Sequence, residues 1–327
     1  MDRNAALTTK DDLNSMTTVY FDAPFTDEVR RKNLFEGNLF AFSPRASTTA
    51  LVTFARELIE EAFAPRDPQL AQFEMPVEEF AAILSELKPR FIHHPRSKEL
   101  LRAMLEDFGC DLDRTFFDVP KMRSMASDDY LRAGIALQFD LHRDSWFASP
   151  LCQQNWWMPI YDVSPDNAMT FYPRYFREPV KNGSSRYNQY EWNKTGRAQA
   201  STFIKNDPRD IPKPEQDMDL SQEIRLITRA GAPIMFSGAQ MHATVPNTAG
   251  RTRFSIDFRT VHLDDIVNKT GAPNVDSAPT GTTLFELLSA RDFSHMDEGV
   301  IRMYDPNPPA EGLVFEPAGF AAPTENN

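Results

Sequence analysis

"RFSIDFRTV", residues 253–261, alternates with a period of two: Phe254, Ile256 and Phe258 fall on one face, Arg253, Ser255, Asp257 and Arg259 on the other. Successive strand side chains point to opposite sides, so the spacing predicts a β-strand with one face against a core. The second face is the unusual one. Enclosing arginines and an aspartate is costly unless they are paired or bind something. An antiparallel barrel with a polar, ligand-holding interior accommodates both faces.

Further strands are predicted around this one. "GIALQFDLHRD" (134–144) places Ile135, Leu137, Phe139 and Leu141 on one face and Gln138, Asp140 and His142 on the other. "NWWMPIYDV", "AMTFYP" and "APIMFSGAQ" supply three more, separated by Pro, Asn, Asp and Gly turn signals. Upstream the period is helical, in "TTALVTFARELIEEAF" (48–63), "PVEEFAAILSEL" and "SKELLRAMLEDFG", the last ending on Gly109 where a C-terminal cap belongs. The expected organisation is one domain: a helical front over about 1–115, a β core over 116–262 and a C-terminal extension over 263–327. Within the core, 174–222 is a long polar insertion of the kind that serves as a lid. The Pro- and Ala-rich tail from Asp305 reads as loose.

Composition narrows the function. A net charge of −12 argues against a nucleic-acid partner. Residues 174–210 nevertheless carry eight Lys/Arg against four acids, an excess that suits an anionic substrate or, equally, a solvated loop. No stretch approaches the roughly eighteen continuous apolar residues of a membrane span. Cys110 and Cys152 are too few for a disulfide framework, and the amino terminus has no apolar core, so a cytoplasmic location is expected.

His142-Arg143-Asp144 matches the opening of a kinase catalytic loop, but Ser149 occupies the position where such a loop needs Asn, and the Asp-Phe-Gly at 107–109 comes before it instead of after. As metal chemistry the tripeptide is His-x-Asp, a weak signal alone; His262-Leu263-Asp264 is another. A two-histidine, one-carboxylate site needs a distant histidine as well. His142 and Asp144 have one in His242, within "GAQMHATVPNT", followed eleven residues later by Arg253 and its alternating strand. The pair at His262 has only His295 downstream and no arginine strand after it.

Taken together, "HRDSW", "NWWMPIYDVSPDNAMTFYP" and "MFSGAQMHATVPNTAGRTRFSIDFR" resemble the Fe(II)- and 2-oxoglutarate-dependent oxygenases, with spacing closest to the phytanoyl-CoA dioxygenase-like branch. The resemblance covers about residues 130–262. It implies a mainly β fold with flanking helices, a double-stranded β-helix (a cupin-like jelly roll) behind a helical N-terminal region. It also implies Fe(II) held by His142, Asp144 and His242, with 2-oxoglutarate and O2 as cosubstrates. Arg253 would grip the far carboxylate bidentately, assisted by Ser255 and Thr244, while Gln138, Asn155 and Trp157 would line the cosubstrate pocket. Arg259 and Trp146 are candidates for the substrate side. Halogenating relatives place a small residue at the carboxylate position, so Asp144 implies oxygenation instead. The reaction would be hydroxylation, desaturation or ring closure at an unactivated C–H of a small molecule, with secondary metabolism as one setting. Two alternatives stay open at this level: a cupin-like protein that binds a metal or sugar, and a different metal-dependent cupin enzyme. Oligomeric state is also open, since the segment from Thr270 onward suits wrapping a neighbouring subunit or its own barrel.

Overall fold

The computed structural model describes residues 17–136, 141–196, 203 and 208–305. Its centre is β10 (Arg253–His262), which pairs antiparallel with β5 (Gln154–Pro159) on one side. On its other side lie β4 (Lys121–Met125) and β3 (Thr115–Phe117). The large sheet has eight strands. It continues from β5 through β8 (Ile234–Ser237) to β2 (Leu39–Ala41) and β1 (Val19–Phe21), and ends at β11 (Leu288–Ser289) beyond β3. A second sheet holds β7 (Ile224–Leu226), β6 (Met169–Phe171) and β9 (His242–Thr244) in that order.

The alternation in β10 and β5 explains the layering. Phe254, Ile256, Phe258, Trp156 and Met158 form one core with residues of three helices, α2 (Ala46–Phe63), α3 (Val77–Ile92) and α4 (Pro95–Asp107). α1 (Asp27–Phe35) adds Leu34 and Phe35 to it. Trp156 is core, as its face predicts: it stacks on Phe258 at 5.5 Å and donates its indole N–H to Thr260 Oγ1 at 2.9 Å. On the opposite face a smaller cluster, Trp157, Ile234 and Phe236 with Met169, Phe171 and Leu226, joins the two sheets. The polar residues of β10 are thereby enclosed between helix-backed sheet and small sheet. Helix α4 stops as its sequence says it should. Gly109, at φ +71°, donates to Glu106 O, and the next N–H, Cys110, reaches back to Leu105 O, the paired bonds of a glycine-terminated helix.

Three expectations change. The described residues at the two ends of 134–144 are not in the strand that the alternation suggests. Gly134, at φ +61°, opens a 3₁₀ turn (Gly134–Ala136), and His142 keeps only an isolated bridge to His242; residues 137–140, and with them Gln138, lie outside the described residues. The chain is not mainly β: among the described residues helices hold more of it than strands, the large sheet is mixed and not closed on itself, and the small one is antiparallel. The β core is not confined to 116–262 either, since β1 and β2 come from the front and β11 from the extension. The 174–222 insertion carries structure of its own, including a π-helical turn (Trp192–Gly196) and a bridge between Asn182 and Pro214. The tail beyond Asp305 lies outside the described residues.

Candidate metal centre

His142 and His242 exchange backbone hydrogen bonds at 3.0 and 2.9 Å, which sets their rings 4.4 Å apart. Two residues later Asp144 begins a 3₁₀ turn (Asp144–Phe147). Arg143, fully buried between them, pins the turn: its guanidinium donates to Ala239 O at 2.7 Å, to Glu178 O at 2.9 Å and to Tyr175 O, and pairs with Asp276 at 3.1 Å. The ligand atoms of His142, Asp144 and His242 consequently lie within 4.8 Å of one another, the one such group among the described residues. Asp144 Oδ1 stands 3.4 Å from His142 Nε2 and 3.8 Å from His242 Nε2.

The surroundings fix how each ligand presents itself. Asp144 Oδ2 accepts from Asn155 Nδ2 at 2.9 Å, Gln153 Nε2 at 3.0 Å and Arg259 Nε at 3.3 Å, which turns Oδ1 toward the imidazoles. Burial raises the Asp144 pKa, but Arg259 and the two histidines outweigh it and hold the carboxyl well below its usual range. His242 Nδ1 lies 2.9 Å from Gln240 O; a carbonyl only accepts, so Nδ1 carries the proton and Nε2 offers its lone pair. Burial, with His142 beside it, pushes the His242 pKa down to about 3, so the ring is neutral. Two imidazole nitrogens and one ionised carboxylate oxygen, on one side of an accessible cavity, fit Fe(II) with open positions for other ligands.

Beside the triad is a cavity of about 110 Å³ bordered by Arg253, Thr244 and Trp157. Arg253 Nη1 donates to Asn167 O at 2.9 Å, Nη2 lies 3.5 Å from Thr244 Oγ1, and the guanidinium sits 5.3 Å from the Trp157 ring. Burial pushes the Arg253 pKa down to about 10, leaving it charged at neutral pH. Its Nε and the Ser255 hydroxyl are buried without a hydrogen-bond partner among the described residues. Buried polar atoms are rarely orphaned, and a charged one least of all. A carboxylate from a small diacid in this cavity would meet the Arg253 guanidinium, so the residues fit 2-oxoglutarate as they fit the metal. A second cavity, of about 270 Å³, shares His142, Asp144, Arg123 and Arg259 with the first and is bordered by Phe147, Tyr187 and Trp192.

The structure thus gathers His142, Asp144, His242, Arg253, Thr244 and Trp157 around one space, with Ser255 next to Arg253 on the same strand face. Asn155 is there in a different role, holding Asp144. Arg259 is engaged by three carboxylates, Asp257 at 2.9 Å, Asp144 at 3.3 Å and Asp118 at 3.5 Å, and works as a clamp on the triad. Trp146 borders neither of these two cavities: it is fully buried, with its indole N–H on Asp276 Oδ1 at 2.7 Å. The competing His262-x-Asp264 is a helix cap, His262 Nδ1 accepting from the Asp264 N–H at 3.3 Å. Gln153, Asp118 and Lys88 were not legible as site residues. Gln153 has the one local signal, two positions before Asn155.

No family model matches the chain, and no curated protein matches it. Among solved structures, EvdO2 from Micromonospora carbonacea var. aurantiaca is similar with a TM-score of 0.42 and 12% identity, over 76% of this chain and 94% of that one. SnoN, described as a non-heme alpha ketoglutarate dependent epimerase from nogalamycin biosynthesis, gives 0.37 and 13%, over 83% and 100%. At such scores the likeness decides neither fold nor chemistry.

Proposed function

We propose that this chain is a non-haem Fe(II)- and 2-oxoglutarate-dependent oxygenase of the phytanoyl-CoA dioxygenase-like kind, its two sheets being the halves of a double-stranded β-helix. One observation carries the reading: the His142–Asp144–His242 donor set borders a cavity that Arg253 also borders, and Arg253 Nε has no hydrogen-bond partner among the described residues. A protein that merely stores a metal has no use for that buried guanidinium. Bound at the triad, Fe(II) supplies activation of O2 coupled to decarboxylation of 2-oxoglutarate to succinate and carbon dioxide.

The chain's own residues bind and orient. Gln153, Asn155 and Arg259 keep Asp144 Oδ1 on the metal side, and Gln240 keeps the His242 lone pair there. Arg253 holds the far carboxylate over Trp157, and the second cavity takes the substrate, placing one C–H near the open metal positions. Three aromatic rings suit a ring-bearing small molecule, and Arg209, 5.1 Å from the Trp192 ring, suits an anionic group on it. Residues 174–222 contribute Tyr187 and Trp192 to that wall and exclude water from it. The products expected are hydroxylated, desaturated or cyclised. Incubation with Fe(II), 2-oxoglutarate and oxygen yields succinate even without substrate, and Arg253→Ala lowers the rate about 100-fold or more at sub-saturating 2-oxoglutarate. Equal succinate from both proteins contradicts the assignment.

A further inference from the structure

Arg143 stands in sequence between two metal ligands, yet its side chain is fully buried and borders neither cavity. Its backbone is extended (φ −113°, ψ 143°), which turns the side chain away from the face that His142 presents. The guanidinium donates to Ala239 O at 2.7 Å, three residues before His242, so one group touches the chain beside all three ligands. It also donates to Glu178 O at 2.9 Å, at the root of the 174–222 insertion.

The carboxylate that balances it comes from far along the sequence. Asp276 is the one acid paired with Arg143 among the described residues, at 3.1 Å, and its side chain is only 5% exposed. Its oxygens also accept from Trp146 Nε1 at 2.7 Å and from the Val180 N–H at 2.9 Å. Adjacent contacts follow the same line. Ser277 Oγ lies 2.7 Å from Ser145 Oγ, the Thr283 N–H donates to Ala148 O at 3.2 Å, and the Ala272 N–H donates to Leu151 O at 3.0 Å. Gly271 passes so close that a Cβ there would stand 2.6 Å from the Leu151 carbonyl carbon. Residues 271–283 thus form a strap along 143–151.

Stability alone gives no reason for the ion pair, since apolar side chains of similar volume often hold a fold equally well. What an apolar pair lacks is direction. A planar guanidinium with its donors fixed in a fork sets the positions of several acceptors at once. Here the acceptors lie on the His242 loop, the insertion and the extension, while the backbone that carries the fork also carries His142 and Asp144.

We propose that Arg143 and Asp276 are a positioning pair for the metal ligands, which makes the C-terminal extension a working part of the metal centre. Asp276 acts through Arg143, and Arg143 through the backbone of the ligand segments. The inference rests on the metal centre of the oxygenase reading.

The test is Co(II) binding to the full-length protein, with affinity from calorimetry and ligand geometry from the visible ligand-field absorption. Asp276→Asn removes the charge and keeps an acceptor for Trp146 and Val180. It leaves Arg143 buried without a counter-charge, so the double variant Arg143→Met, Asp276→Asn removes both charges and carries the test if the single variant does not fold. Leu101→Ala, in α4, is the control for destabilisation elsewhere, since Leu101 is fully buried in the helical core. The inference expects the folded variants of the pair to bind Co(II) about tenfold more weakly or worse, with shifted absorption bands. Leu101→Ala should lose thermal midpoint and keep wild-type affinity and bands. Wild-type affinity and bands in a folded variant of the pair overturn the inference and leave the oxygenase reading standing. An equal loss in Leu101→Ala overturns it too, because destabilisation alone then accounts for the effect. If wild type binds no Co(II), the oxygenase reading falls and this inference with it.

Discussion

Asp144 uses its two oxygens differently. Oδ2 is held by three donors on β10, on β5 and just before β5, while Oδ1 points at two imidazoles. Removing one of those holders leaves the ligand in place but free to rotate. Asn155→Ala should therefore lower metal affinity about 10–100-fold, measured by competition with a chelator, with little change in secondary structure. Lys88 gives a prediction of the opposite kind, in stability. The folded chain releases its proton near pH 7, whereas an unfolded lysine keeps it to about pH 10.4. Between those values the unfolded state binds the extra proton, so this residue's contribution makes the protein more stable as pH rises through the window. Urea midpoints of wild type should climb from pH 7 to 9 relative to Lys88→Met, and parallel profiles would contradict a proton affinity lowered by folding.

The strands owe their identity to alternation that tertiary packing then uses. In β10 and β5 the two faces serve two clients: Phe254, Ile256, Phe258 and Trp156 meet the helices, while Arg253, Asp257, Arg259, Asn155 and Trp157 meet the cavity. The register aligns them, Arg259 opposite Asn155 and Asp257 opposite Trp157, so two of the three donors that hold Asp144 come from one cross-strand pair. Phe258→Ala should cost about 3–5 kcal/mol of unfolding free energy, read from denaturant titration, since its ring lies fully buried on Trp156. The same rule fails at the start of 134–144, where Gly134 takes a left-handed conformation and opens a 3₁₀ turn that runs to Ala136. Helix α4 was readable to its final residue because Gly109 supplies a conformation that other residues resist.

At the scale of the molecule, an acidic chain encloses a cluster of cations. Lys88, Arg123, Arg253 and Arg259 border the smaller cavity, against Asp144 and Asp257. That excess was foreshadowed in β10, whose charged face has no reason to be indoors otherwise. His142, Asp144, His242 and Arg253 were legible because each residue type is demanded by the chemistry and the spacing offered few substitutes. Gln153, Asp118 and Lys88 were not, because their places depend on loops and on a helix crossing a strand edge, which no local pattern encodes. Trp146 was misassigned for the same reason: adjacency to Asp144 says nothing about which way a 3₁₀ turn aims its side chains. All of it rests on three ligands and a diacid meeting in one place. Anaerobic addition of Fe(II) and then 2-oxoglutarate tests that meeting most directly. The account predicts a weak visible charge-transfer band that saturates at one acid per chain and is absent in His242→Ala. A wild-type protein that binds Fe(II) yet shows no band at saturating 2-oxoglutarate would contradict it.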